Sequence, residues 1–100
     1  MDSKFIIQCN NLEYWDVPMY LKKIGPKPYD ITWTDDIYKA KTYDTEKRAI
    51  KESLRMSNYI KHCSDHGWDS HGYIDKKTGE RKVIKEVIGE IKEIQLIILN

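Results

Sequence analysis

The stretch WTDDIYKAKTYDTEKRAIKESLRMSNYI, residues 33–60, decides the fold of this chain. Asp44 and Thr45 precede its longer segment, and a Thr side chain in that position accepts a hydrogen bond from a free backbone N–H of the first helical turn. The segment therefore predicts one long amphipathic helix over residues 45–61. A short helical piece of about two turns is predicted before it, where Thr34 precedes two acidic residues that favour a helix N-terminus.

The long helix has two faces of different chemistry. Small and apolar residues recur at the three- and four-residue spacing of a helix and predict the face that packs on a sheet. They are Ala49, Ile50, Ser53, Leu54, Ser57 and Ile60. The opposite face is basic. It carries Lys47, Arg48, Lys51 and Arg55, together with Glu52.

Strands are predicted on both sides of this helix. Residues 4–9 and 19–24 are short β-rich runs that are separated by turn signals, and residues 30–33 form a third short strand. After the helix, two short apolar runs flank a turn, and Gly79 supplies the positive φ angle that a tight hairpin requires. In chain order the helix therefore follows one group of strands and precedes another.

The C-terminal part of the chain is expected to complete the sheet. Residues 82–88 are predicted to be a strand, although their apolar residues also keep a helical spacing, which leaves a helix as the alternative. Residues 91–99 are predicted to be a strand because this run is rich in Ile and becomes wholly apolar. The element order predicts one α+β domain over residues 1–100, with an antiparallel sheet of about four to six strands and one main helix on one face. An unprotected apolar edge at residues 94–99 would also permit a homodimer by strand pairing.

Composition and charge exclude several classes of function. The chain has 100 residues, of which 40% are hydrophobic and 33% charged, which is typical of a globular protein. The net charge of +1 creates no global field that would recruit nucleic acid or an acidic membrane. No apolar run is long enough to cross a bilayer and no signal-peptide pattern begins the chain, so we expect a cytoplasmic protein without a membrane partner. The two cysteines are expected to be free thiols.

The polar region after the predicted helix contains the residue types of a metal or acid–base site. Cys63, His66 and His71 are candidate zinc ligands, with His62 as an alternative to Cys63, but no second pair of Cys or His completes a four-ligand pattern. Catalysis needs a base that is oriented by a third group, and the chain contains no phosphate-binding glycine loop, no GxSxG and no HExxH motif. The protein is therefore expected to be no enzyme and to hold no cofactor.

Aromatic residues in polar connections predict an interface with another protein. The candidate partner-binding residues are Tyr14, Trp15, Trp68, Asp69 and Tyr73. Exposed Trp and Tyr side chains anchor many protein interfaces because they combine a large apolar area with a polar group. In a small domain the two tryptophans would equally serve to cover the ends of the sheet, and both interpretations stay open at this point.

The basic helix face offers an alternative function. Residues 39–61 hold seven Lys or Arg and three Asp or Glu, so this region is the most basic part of the chain. The side chains of Lys47, Arg48, Lys51 and Arg55 would follow a phosphate backbone in a nucleic-acid or nucleotide-binding module. A solvated helix face explains the same residues without any ligand.

A recurrent pattern covers roughly residues 4–55, beginning with an FIIQC strand. Its elements here are Tyr20-Leu21, Trp33-Thr34, Ile37, Ala40-Lys41, Tyr43, Thr45 and Ala49. In this pattern and in its Lys-, Ile-, Asn- and Tyr-rich composition, the chain resembles small accessory proteins of phages and mobile elements of low-GC Gram-positive bacteria. The resemblance carries no catalytic residue. It implies a protein of the bacterial cytoplasm that inhibits or redirects a host protein, such as a defence nuclease or its complex, as anti-CRISPR and other anti-defence inhibitors do.

Overall fold

One long helix packs on one face of a four-stranded antiparallel sheet, which confirms the predicted α+β class. The computed structural model describes residues 2–9, 15, 17–68, 71–75 and 77–96. Of Asp2, Tyr73 and Leu96 it describes the backbone alone. No helix in these ranges is long and apolar enough to span a membrane.

In the described ranges the strands form two separate sheets. In chain order they are β1 (Asp2–Cys9), β2 (Met19–Ile24), β3 (Ile31–Thr34), β4 (Gly72–Ile74), β5 (Arg81–Val83) and β6 (Gly89–Leu96). The larger sheet has the order β3-β2-β1-β6, and β4 pairs with β5 as a hairpin. All neighbouring strands are antiparallel. The predicted role of Gly79 in this hairpin is confirmed, because its φ angle is +72°.

The C-terminal strands differ from their predicted bounds. Residues 82–88 were predicted to be one strand, but β5 ends at Val83 and an irregular connection follows. In that connection Ile84 and Val87 belong to the hydrophobic core, so their apolar character reflects burial without strand pairing. The last strand begins at Gly89 rather than at residue 91. Positions 97–99 of its prediction lie outside the described residues.

A β-bulge in β2 turns two residues of one strand toward the helix. Leu21 pairs with Trp33 and Ile24 pairs with Ile31, and the register shifts between Leu21 and Lys23. A bulge inserts one extra residue into a strand, so residues three positions apart point to the same face. Leu21 and Ile24 are consequently both buried in the core beneath the helix.

The long helix, α1 (Glu46–Asp65), starts where the sequence predicts. Thr45 is its N-cap, and the Thr side chain accepts a backbone N–H at 3.2 Å. The shorter predicted helix is wrong in length and in its cap: it is a single 3₁₀ turn, Ile37–Lys39, with Asp36 as its N-cap. Thr34 does not cap that turn, because its Oγ1 accepts a hydrogen bond from the backbone N–H of Asp36.

The C-terminal end of α1 lies further along the chain than predicted. The backbone N–H of Trp68 donates to the carbonyl oxygen of Cys63 at 2.8 Å, and that of Gly67 donates to Ser64 at 3.1 Å. These two bonds, with a φ angle of +70° at Gly67, form the Schellman motif that ends many helices. His62 and Cys63 therefore belong to the helix and not to a polar loop.

The helix is also rotated relative to the predicted orientation. Its buried residues follow an alternating four- and three-residue spacing. They are Ala49, Ser53, Met56, Ile60 and Cys63. Ile50 and Leu54, which were predicted to face the sheet, are 43% and 61% exposed. The rotation is fixed by hydrogen bonds from Arg55 and Tyr59 to the loop that follows β2.

Candidate functional site

The C-terminal end of α1 carries an exposed cluster of three rings, His62, His66 and Trp68, which we call the helix-end cluster. The two His rings come from successive helical turns, and their centroids lie 4.1 Å apart. The Trp68 ring centroid lies 5.4 Å from that of His62 and 5.0 Å from that of His66. Sequence reasoning considered His62 only as a possible zinc ligand and did not group it with Trp68, although residues four positions apart share one face of a helix.

Backbone hydrogen bonds hold the helix-end cluster in place although its side chains are exposed. Trp68 follows directly on the Schellman turn, so its backbone position is tied to the helix. Nδ1 of His66 lies 2.9 Å from the carbonyl oxygen of His62. Because a carbonyl oxygen only accepts hydrogen bonds, Nδ1 of His66 carries the hydrogen. The Trp68 ring, which is 43% exposed, is thus presented in an ordered position.

The other predicted partner-binding residues are not part of this cluster. Trp15 is half-buried, and its ring centroid lies 5.5 Å from that of Trp33, which packs against the core. For Trp15 the structure therefore matches the interpretation in which a tryptophan covers the edge of the core. Tyr14 and Asp69 lie outside the described residues, and so does the side chain of Tyr73.

The candidate zinc ligands occupy three different environments. Cys63 is buried near the end of α1, and His66 belongs to the helix-end cluster. His71 is buried, and its Nε2 donates to the carbonyl oxygen of Pro28 at 2.8 Å. Within the described ranges, no three His, Cys, Asp or Glu side chains are grouped so that they could hold a metal ion. His71 instead anchors the β4–β5 hairpin to the loop between β2 and β3.

The structure divides the four cations of the predicted basic face. Lys47, Arg48 and Lys51 are exposed on the first two turns of α1. The Arg55 guanidinium is half-buried and donates to the carbonyl oxygen of Gly25 at 2.6 Å. Arg55 therefore has a structural partner within the chain, and the exposed basic surface is smaller than the sequence predicts.

A polar network that includes Arg55 joins the helix to the rest of the fold. Glu52 pairs with Lys41 at 2.8 Å and with Arg55 at 3.3 Å. The Tyr59 hydroxyl donates to the carbonyl oxygen of Pro26 at 3.0 Å. Burial opposes the charged form of Glu52, but the hydrogen bonds and charges of Lys41 and Arg55 outweigh it and lower the pKa of the carboxyl group. The network stabilises one flank of α1 against the loop after β2.

The two cysteines are free thiols, as predicted, and both are buried. Burial raises the pKa of the Cys9 thiol to about 12, although the neighbouring Trp33 side chain partly opposes this effect. A thiol reacts as a nucleophile through its thiolate form, so a raised pKa and burial both reduce its reactivity. Cys9 therefore acts as a packing residue in the core.

No protein-family model matches this chain, and no curated protein or solved structure is significantly similar to it. The candidate site is consequently defined by the geometry of the chain itself. In the described residues, the helix-end cluster combines exposed aromatic surface with a fixed backbone, which is the combination that a binding surface requires.

Proposed function

We propose that this protein is a non-enzymatic binding protein that holds another protein through the helix-end cluster. The observation that carries the proposal is that Trp68 is substantially exposed and yet ordered by the Schellman turn and by two His rings. A buried Trp often contributes more binding free energy than any other residue of an interface. Because the ring is already ordered, binding would cost little additional side-chain entropy.

The non-enzymatic part of the proposal rests on the chemistry of the available groups. Cys9 and Cys63 are buried, so neither thiol is accessible to a substrate. His71 uses Nε2 for a structural hydrogen bond with Pro28. His66 uses Nδ1 for a bond with the helix backbone, which leaves the ring as part of a surface rather than of a cleft.

The class of partner follows from the resemblance to phage and mobile-element accessory proteins. In that setting the partner is a bacterial host protein, and a defence nuclease or its complex is the class to test first. Binding through a rigid aromatic surface would inhibit or redirect the host protein by covering a functional surface, without any chemical modification of it.

The test compares two single substitutions in a pull-down from a lysate of the bacterial host. Trp68→Ala removes the central ring of the helix-end cluster, and Tyr38→Ala removes an aromatic ring that is 93% exposed but lies outside the cluster. We expect one specific host protein to bind the unchanged chain and the Tyr38→Ala variant. Trp68→Ala should weaken that binding by about tenfold or more, measured by calorimetry with the purified partner.

Two results would contradict this proposal. One is the recovery of no specific protein, and the other is equal binding by the Trp68→Ala variant. Titration with short DNA and RNA at increasing salt tests the nucleic-acid alternative. Binding that falls steeply with salt and is lost on Lys51→Ala, but not on Trp68→Ala, would replace the proposal, because phosphate contacts are salt-dependent.

A further inference from the structure

The edge of the larger sheet at β6 has its hydrogen-bonding groups directed outward. In the described part of the chain, β6 pairs with β1 on one side and with no strand on the other. Phe5 of β1 exchanges both backbone hydrogen bonds with Tyr43, at 2.9 and 2.8 Å, on the side away from β6. The direction of these bonds alternates along an antiparallel strand. Glu93, opposite Phe5, therefore directs its N–H and C=O to the open edge. The same holds for Gly89, Ile91 and Gln95.

This edge is complementary to itself in charge. A twofold axis perpendicular to a sheet pairs two copies of an edge strand in antiparallel fashion, with one residue opposite its own copy. Centring the pair on Glu90, Lys92 or Glu93 would place like charges opposite each other, which is unfavourable. Centring it on Ile91 instead places Glu90 of each copy opposite Lys92 of the other, which gives two pairs of opposite charge. Ile91 is also one of the residues whose backbone groups face outward, so its N–H and C=O would meet those of its copy.

The helix crosses β6 in a defined direction. The Ser57 Oγ donates to the carbonyl oxygen of Val87 at 2.7 Å. One turn earlier in the helix, the Ser53 Oγ lies beside Gly89, only 2.5 Å from where a Cβ on that glycine would be. Four helical residues and two strand residues both advance about 6–7 Å. Helix and strand therefore run in opposite directions at matched steps.

The same steps bring exposed apolar residues of α1 to the open edge. One further turn toward the helix N-terminus places Ile50 level with Ile91. The opposite flank of α1 contacts the loop after β2 through Arg55, so Ile50 and Leu54 lie on the flank toward β6. Both are exposed, as is Ile88 immediately before β6. Apolar surface and backbone groups without a strand partner among the described residues thus occur together at this edge.

The spacing of sheet and helix would allow two copies to meet. Neighbouring strands lie about 4.8 Å apart, and α1 packs over both β1 and β6. An axis halfway between two paired β6 strands would then lie roughly 5 Å from each helix axis. The two helices would be about 10 Å apart, which is an ordinary distance for packed helices. Ile50 and Leu54 of each copy would fill the space between them.

We propose that β6 pairs with β6 of a second copy of this chain around a twofold axis at Ile91. The two four-stranded sheets become continuous, and both helices lie on one face. Within one copy Lys92 already pairs with Glu90 at 2.9 Å. In the dimer the Glu90–Lys92 pairs of the two copies lie next to each other across the axis. The helix-end cluster begins twelve residues after Ile50, roughly 18 Å along the helix, and stays exposed in the dimer.

A charge exchange tests the register. Glu90→Lys and Lys92→Glu each create like-charged pairs across the axis, and we expect each to raise the dimer dissociation constant by about tenfold or more. The double variant restores opposite charges and should restore dimerisation. Sedimentation equilibrium over a wide range of protein concentrations measures this. An unchanged chain that is monomeric throughout, or single variants that dimerise normally, would overturn the proposal.

A matched pair of substitutions tests the helix flank separately. Leu54→Lys places a charge between the two helices, whereas Ile74→Lys changes a residue of equal exposure, 61%, on the β4–β5 hairpin. We expect Leu54→Lys to abolish the dimer and Ile74→Lys to leave it intact, with circular dichroism confirming that both variants are folded. Dimers that survive Leu54→Lys would contradict the geometry. Trp68→Ala should not affect dimerisation, so this result is independent of partner binding.

Discussion

The two flanks of α1 contain different residue types, and their roles are the reverse of what those types suggest. Toward the loop after β2, the polar residues Glu52, Arg55 and Tyr59 form hydrogen bonds within the chain. Toward β6, the apolar residues Ile50 and Leu54 are exposed. Charged residues on a helix can therefore be structural, while apolar residues on the other flank of the same helix are exposed.

The largest effect on stability is expected at Gly89, where α1 approaches β6 most closely. A Cβ at Gly89 would lie 2.5 Å from Cγ2 of Ile7 and 2.5 Å from Oγ of Ser53. Ile7 is fully buried and β-branched, so it has little freedom to move. Gly89→Ala should lower the free energy of unfolding by about 1–3 kcal/mol in urea denaturation. Ser53→Ala in the same chain should recover part of this loss, and unchanged stability would show that the helix sits further from β6.

A somewhat smaller effect is expected on the opposite flank. Arg55→Met removes the hydrogen bond to Gly25 and the ion pair with Glu52, and because Arg55 is partly exposed it should cost about 1–2 kcal/mol. Lys51→Met, on the outer side of the same helix, is the matched control and should change stability by less than about 0.5 kcal/mol. The midpoints of urea denaturation measure the effects of both substitutions, provided that the dependence of the unfolding free energy on urea concentration is unchanged. Equal effects of the two substitutions would remove the distinction between the flanks.

The smallest effect depends on pH. Because the pKa of Glu52 is lowered in the folded protein, its charge contributes stability above the ordinary carboxyl pKa, and this is lost as pH falls through the lowered value. Glu52→Gln should therefore cost about 1 kcal/mol at neutral pH. The difference from the unchanged chain should shrink in acid below about pH 4. Urea denaturation from neutral pH to pH 3 measures it, and a difference that grows in acid would contradict the assigned sign.

Features that depend on neighbouring residues could be predicted from the sequence. Thr45 caps α1 because its own side chain meets a backbone N–H three residues later. Gly79 adopts the predicted positive φ angle, where most other residues would be strained. Trp68 was recognised as a candidate for an interface because it lies in a polar segment, and the structure leaves it exposed.

Features that depend on residues far apart in the chain could not be predicted from the sequence. The rotation of α1 is decided by Arg55 meeting Gly25, thirty positions earlier in the chain, and nothing in the helical pattern specifies that contact. The helical spacing alone therefore placed Ile50 and Leu54 on the face toward the sheet, although both are exposed. Likewise, the three rings of the helix-end cluster meet only because the helix continues to Asp65 before it turns.

The sequence by itself determined the class of fold, the caps and the turns, since these arise from a residue and its neighbours within a few positions. Only the tertiary structure decided which flank of the helix is occupied and which is available. It also decided that, among the described strands, β6 is an edge strand of the larger sheet, next to β1 and at the opposite edge from β3. The physical reason is that burial and strand order depend on contacts across the whole chain, which compete with one another for the same surfaces.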